Sequence, residues 1–160
     1  MRRLEWAILA AMVIYTGCVV VPASALWFIP GIPVFSDAVQ GDPVPVAYER
    51  EIKRNSRIKY AVVIRQPGTA VPVCDATGGP FPDIANTGPV VDRDLAWWTQ
   101  DNPHCNNLIP GKYWVETTWT VVYPLGDLLP VWLDPFLGWV IPPKRVSRIS
   151  PLFNITERTA

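Results

Sequence analysis

From Lys112 to Tyr123 the chain alternates without a break. Tyr113, Val115, Thr117, Trp119, Val121 and Tyr123 fall on one side, and Trp114, Glu116, Thr118, Thr120 and Val122 on the other. A period of two sustained this long is a strand pattern, since a helix would scatter the same residues around its circumference. Pro110-Gly111 ahead of it supplies a turn. The second constraint is proline. The 160 residues include 18 prolines, spread widely enough to forbid long helices in the body of the chain and to confine strands to short runs and sheet edges.

Two further strands are expected earlier. From Val46 to Lys53, Val46, Tyr48 and Ile52 lie on one side and Glu49, Glu51 and Lys53 on the other. Asn55-Ser56 then offers a turn into Ile58 to Arg65, where Tyr60, Val62 and Ile64 face one way and Ala61 and Val63 the other, a pattern for burial on both faces. Residues 66–107 carry Pro67-Gly68, Gly78-Gly79-Pro80, Pro82, Gly88-Pro89 and Asn102-Pro103. They read as loop, with short strands at Ala70 to Cys74 and Leu95 to Thr99. Arg145 to Thr156 offers Ile149, Phe153 and Ile155 as the inward face of a closing strand. Several short strands, many turns and little helical period predict an all-β class, a small antiparallel β-sandwich.

The stretch Pro110-Gly111-Lys112-Tyr113-Trp114-Val115 resembles the Pro-Gly-x-Tyr-x-Val lead-in to a late strand of fibronectin type III and immunoglobulin-like domains. That resemblance covers about a dozen residues and implies architecture, with no particular activity.

The N-terminus carries a different signal. Arg2 and Arg3 precede a run from Trp6 to Ser36 without one charged side chain. A helix continuing to Phe28 or Ile29 is long enough to cross a hydrocarbon core of about 30 Å. With Asp37, Asp42 and Glu49 after the run, the basic start predicts a cytoplasmic N-terminus and an exported body. The expected organisation is therefore a single transmembrane anchor in residues 1–36, a proline-rich linker in 37–45 and an exported sandwich in 46–160. Two other readings export the same body. Ala23-Ser24-Ala25 has the form of a signal peptidase site, and Tyr15-Thr16-Gly17-Cys18 approximates a lipoprotein attachment box. The localisation expected is an inner, cytoplasmic membrane with the C-terminal domain periplasmic or extracellular.

Fourteen basic and fourteen acidic residues leave a formal net charge of zero. Nucleic acid is accordingly not expected as a partner. Cys74 and Cys105 are the two cysteines of the exported part, and in an oxidising compartment they predict a disulfide. The competing reading, a zinc site built from Cys74, Asp75, His104 and Cys105, lacks ligands paired at short spacing. No metal or cofactor is expected. His104 is the single histidine and has no Gly-x-Ser-x-Gly elbow to serve, which leaves carboxylates at Asp92, Asp94 and Glu116 for a hydrolase reading. The expectation is a protein without enzymatic activity.

Tryptophan is the remaining signal. Trp97, Trp98, Trp114 with Glu116, Trp132 and Trp139 are the candidate binding surface, for a protein partner or for a cell-wall glycan. Trp119 belongs to the inward row and is expected in the core. Trp132 and Trp139 sit in an apolar stretch from Pro124 to Pro143 whose five prolines, with Asp127 and Asp134, argue against a second span. It is expected as a surface element used for contact.

Overall fold

The structure is a computed structural model that describes residues 2–20, 28–83, 90–100, 102–122 and 143–159. Helix α1 (Arg2–Val20) is followed by strands β1 (Phe28–Pro30), β2 (Val34–Phe35), β3 (Ala38–Val39), β4 (Pro45–Ile52), β5 (Ser56–Arg65), β6 (Cys74–Asp83) and β7 (Val90–Asp94). Two single-turn helices, α2 (Leu95–Trp98) and α3 (Pro103–Asn106), lead to β8 (Gly111–Val122), β9 (Lys144–Ile149) and β10 (Phe153–Thr156). The fold is mostly strand, in two sheets.

Both sheets use the same device: one long strand with a partner along one edge and two short strands placed end to end along the other. In the four-stranded sheet β4 pairs with β7 on one side, and on the other with β2 near its start and β1 near its end. In the six-stranded sheet β8 pairs with β5, and with β10 over Gly111–Tyr113 and β9 over Glu116–Val121. The join between β1 and β2 is close. Gly31 N–H donates to the Glu49 carbonyl at 2.8 Å, and a Cβ on Gly31 would stand 2.6 Å from that oxygen.

The inner faces meet through aromatic rings. Phe28 and Tyr48 of one sheet approach Trp119 of the other at 6.1 and 6.0 Å between centroids, and Phe35 stacks on Phe153 at 5.3 Å. Trp98, fully buried, stands edge-on to Tyr48 at 5.0 Å and to Trp119 at 5.6 Å. The predicted alternation holds along β8, where Tyr113, Val115, Thr117, Trp119 and Val121 are buried, Trp114, Glu116, Thr118, Thr120 and Val122 half-buried, and Lys112 exposed. At its start the Tyr113 hydroxyl donates back to the Ile109 carbonyl at 2.7 Å, the bond by which a corner tyrosine fixes a strand's entrance.

Several expectations are corrected. α1 is described over Arg2–Val20, and no helix among the described residues is long and apolar enough to cross a membrane. Phe28 is not the end of a membrane-crossing helix. It is a buried strand residue of β1, because its ring fills the space over Trp119. Residues expected as a linker instead supply β3 and lead into β4, while Phe35 just ahead is held in the core by Phe153 and Trp98. β10 pairs with β3 in parallel, so the sheets are not wholly antiparallel.

Ala70 to Cys74 is not a strand. β6 begins at Cys74 and runs through Gly78-Gly79-Pro80 and Pro82, which a sheet accepts here because, among the described residues, β6 is its outermost strand and a proline needs no partner on an edge. Leu95 to Thr99 is a helical turn rather than a strand. The Asp94 carboxylate accepts the Trp97 N–H at 2.8 Å as its N-cap. In β5 the second face, Ala61 and Val63, is only half-buried. Phe153 and Ile155 point inward as expected, but Ile149 is 58 % exposed, because the break at Ser150 and Pro151 shifts the phase between β9 and β10. The Pro124 to Pro143 element, with Trp132 and Trp139, lies outside the described residues apart from Pro143.

Candidate functional site

The disulfide is present. Cys74, opening β6, and Cys105 in α3 are joined with Cα atoms 5.5 Å apart, and both are buried. The bridge ties the α2–α3 segment to the edge of the larger sheet. Around it, Asn102 Nδ2 donates to the Asp75 carbonyl at 3.3 Å, and the Thr99 hydroxyl is 2.7 Å from Asn106 Oδ1. The segment so fixed carries Trp98 into the interior and holds Trp97 half-buried beside it.

Between the sheets lies a cavity of about 180 Å³ lined by Phe28, Tyr48, Arg50, Ile58, Tyr60, Phe81, Trp97 and Trp119. Three rings on one side are close to parallel. Tyr60 lies 6.0 Å from Phe81 and 5.8 Å from Trp97, with Phe81 and Trp97 6.2 Å apart, every pair within 25° of coplanar orientation. Such separations suit offset stacking. Phe81 and Trp97 are partly exposed, so they form the mouth. Phe28, Tyr48 and Trp119 are buried and form the floor.

Each wall has a local cause. Tyr60 sits across from Gly78, whose missing side chain leaves room for the ring: a Cβ there would stand 2.6 Å from Tyr60 Oη. The hydroxyl is then held between two partners, donating to the Trp97 carbonyl at 3.2 Å and accepting from Gln100 Nε2 at 2.9 Å. Burial pushes its pKa above the ordinary tyrosine value, against the lowering effect of the Gln100 bond. Arg93 lies over the Trp97 ring, with Cζ 5.5 Å from the centroid.

Among the described residues, the cavity lining contains no carboxylate, imidazole or thiol. It offers ring faces and one guanidinium. Arg50 is in phase with Val46, Tyr48 and Ile52, so it occupies the inward row of β4, a place the alternation reserves for apolar side chains.

The sequence candidates are therefore divided. Trp97 lines the cavity, and Trp98 is core beneath it. Trp114 and Glu116 lie elsewhere, in the outward row of β8, where Trp114 lies under Arg65 at 5.8 Å. Asp94 is engaged as the α2 cap and Glu116 faces away from the other sheet, so the two carboxylates do not share a site. His104 is exposed in α3, and among the described residues no group of three or more His, Cys, Asp or Glu side chains is placed to hold a metal. The residues sequence reasoning missed are Arg50, Tyr60, Phe81 and Phe28. A charge in the apolar phase of β4 was the legible signal for Arg50.

Comparison with protein-family models, with characterised proteins and with solved structures found no match to this chain.

Proposed function

We propose that the chain works by contact rather than by chemistry. It is read as an exported sandwich of immunoglobulin or fibronectin III type, held at an inner membrane by lipid contact of its apolar N-terminal helix rather than by a described span. There it serves as a non-enzymatic protein-interaction or assembly component of a cell envelope, of bacterial or bacteriophage origin. The observation that supports this reading is the surface of α1. Leu4, Trp6, Ile8, Leu9, Met12, Val13, Ile14, Tyr15 and Val20 are all strongly exposed, and they occupy every side of the helix. Apolar area of that extent calls for lipid or a protein partner, and the Arg2-Arg3 start favours lipid with anionic headgroups. The buried Cys74–Cys105 bridge supports an oxidising compartment.

Two measurements test it. Alkaline phosphatase fused after Ala160 should be active, and the full chain should float with phosphatidylglycerol vesicles while an Ile8→Asp, Met12→Asp, Ile14→Asp variant stays at the bottom of the gradient. An inactive fusion, or flotation unchanged by the three aspartates, removes the reading.

A second reading, a peptidoglycan-binding module, is favoured by the outward row of β8. Trp114, Glu116, Thr118 and Thr120 stand half-buried in line there, with Thr118 Oγ1 2.8 Å from Ser147 Oγ. An aromatic face beside hydroxyls suits a sugar ring. Sedimentation with purified peptidoglycan, lost on Trp114→Ala, would establish it in place of the first. Equal sedimentation of both proteins would rule it out.

A further inference from the structure

The outward face of the larger sheet sorts its charges by row. Strand pairing sets Lys59, Thr120 and Arg145 side by side across β5, β8 and β9, and Arg57 takes the outward position on β5 before Lys59. Lys59, Arg57 and Arg145 are exposed, and among the described residues none of them has a hydrogen bond or ion pair. The described acidic side chains of this face, Asp75 and Glu116, share a different row through Val63. From Lys59 to Val63 is about 13 Å at the rise of a strand, beyond the roughly 10 Å over which exposed charges act in 0.1 M salt. The basic row is not neutralised by its own sheet. Beside Lys59 the face is hollowed. The register slips between Ile58 and Tyr60, so that β6 sets Gly79 and Pro80 against Lys59 alone. Gly79 has φ 90°, a conformation open to glycine, and a Cβ there would stand 2.7 Å from the Ile58 carbonyl. With no side chains at Gly78 and Gly79, a hollow of about 300 Å³ remains, lined also by Lys59, Thr77 and Thr120.

One contact places this hollow relative to α1. Lys144, next to Arg145, is buried, and its ammonium donates to the Val19 carbonyl at 2.6 Å. The last described turn of α1 therefore sits beside the basic row. On the reading that α1 lies in lipid, on which this inference rests, the row stands at the headgroup layer, where Lys and Arg are drawn to anionic lipid. The lining narrows the ligand. A lysine ammonium is a compact charge for a phosphate, and threonine hydroxyls both donate and accept, as a polyol requires. We propose that the hollow binds the headgroup of an anionic, hydroxyl-bearing phospholipid of the phosphatidylglycerol type, its phosphate at Lys59 and its hydroxyls at Thr77 and Thr120. Arg57 and Arg145 supply the surrounding positive field. A choline headgroup brings a cation of its own and no hydroxyl, and is disfavoured.

The test uses the full chain in phosphatidylcholine nanodiscs, titrated separately with glycerophosphoglycerol, glycerophosphocholine and inorganic phosphate while the backbone amide resonances of Thr77, Gly78, Gly79 and Thr120 are followed. Glycerophosphoglycerol, the deacylated headgroup, should shift all of them saturably. Glycerophosphocholine should not saturate, and inorganic phosphate, lacking the polyol, should bind about fivefold or more weakly. Replacing part of the disc lipid by phosphatidylglycerol should give the same shifts with nothing added. Lys59→Gln should abolish saturation while Lys59→Arg keeps it, which separates loss of charge from loss of folding, and Arg145→Gln should weaken binding about fivefold. Absence of saturation by glycerophosphoglycerol overturns the proposal, as does saturation unchanged in a folded Lys59→Gln protein. Phosphate bound as tightly as glycerophosphoglycerol makes this a free-phosphate site and overturns the lipid assignment. The two readings fail separately: flotation unchanged by the three aspartates in α1 removes lipid contact by the helix, whereas aspartate-sensitive flotation without headgroup saturation removes the hollow alone.

Discussion

Ser150 meets both backbone groups of Val115. Its N–H donates to the Val115 carbonyl and its hydroxyl accepts the Val115 N–H, each at 2.9 Å, and both residues are buried. A side chain thus completes the β8 edge where β9 has ended and β10 has not begun. Ser150→Ala leaves the Val115 N–H buried without a partner, which should destabilise the fold by about 1–3 kcal/mol. Chemical denaturation measures it. A loss below about 0.5 kcal/mol, less than a typical net hydrogen bond, would mean that water or a shifted backbone replaces the hydroxyl.

Thr117 presents the opposite case. It is fully buried in the inward row of β8, and its hydroxyl has no hydrogen-bond partner among the described residues. Thr117→Val keeps the shape and removes an oxygen whose desolvation is not repaid, so stability should rise by about 1 kcal/mol or more. Thermal and urea unfolding of the variant provide the measurement, and a loss of stability would indicate a bound water at that hydroxyl.

The bridge between Cys74 and Cys105 closes a loop with a sequence separation of 31. On loop-closure entropy alone its removal should cost about 3.5 to 4 kcal/mol. A Cys74→Ala, Cys105→Ala double variant, compared with the oxidised protein in guanidinium, should show this as a lower midpoint with an increased slope from a less compact unfolded chain. Non-reducing peptide mapping should find the two cysteines joined, and free thiols at both would refute the pairing.

Much of this was legible in the sequence. The inward residues of β4, β5 and β8 follow directly from alternation, because a strand with one face on a core writes its burial into every second position. The pairing of Cys74 with Cys105 followed from there being no third cysteine in that part of the chain. What escaped was decided by contacts distant in sequence. Phe28 and Phe35 sit in proline-rich surroundings that read locally as membrane or linker, and only Trp119, Trp98 and Phe153 make them core. β6 was hidden by Gly78, Gly79, Pro80 and Pro82, tolerated because that strand is an edge. The cavity was invisible for the same reason, since its walls come from β1, β4, β5, β6, β8 and α2.

Acid sensitivity is expected at one surface clamp. The Asp37 carboxylate accepts the Asn154 backbone N–H and its side-chain amide, at 2.6 and 3.1 Å, and these bonds hold its pKa below the ordinary carboxylate value. Because the folded value is depressed, the contribution is complete above the unfolded-state pKa and disappears as pH falls through the folded one. Carboxyl-carbon NMR should therefore place the Asp37 midpoint under that of an unfolded peptide, and Asn154→Ala should move it part of the way back, since the backbone donor remains. A midpoint at the peptide value in the intact protein would contradict the clamp.

The prolines of β6 also bear on how this molecule meets others. Pro80 and Pro82 stand two residues apart on the outermost strand of the larger sheet, and a proline is accommodated there only where its missing donor would have faced solvent. Over Pro80 to Pro82 that rim therefore offers carbonyls without N–H donors, and an incoming strand finds part of its hydrogen bonds unanswered there. This end of β6, the sheet's edge among the described residues, resists extension. A copy pairing edge to edge along β6 would have to stop at the prolines, so contacts past that point come by the broad faces or the loops, through side chains that selection can vary one at a time.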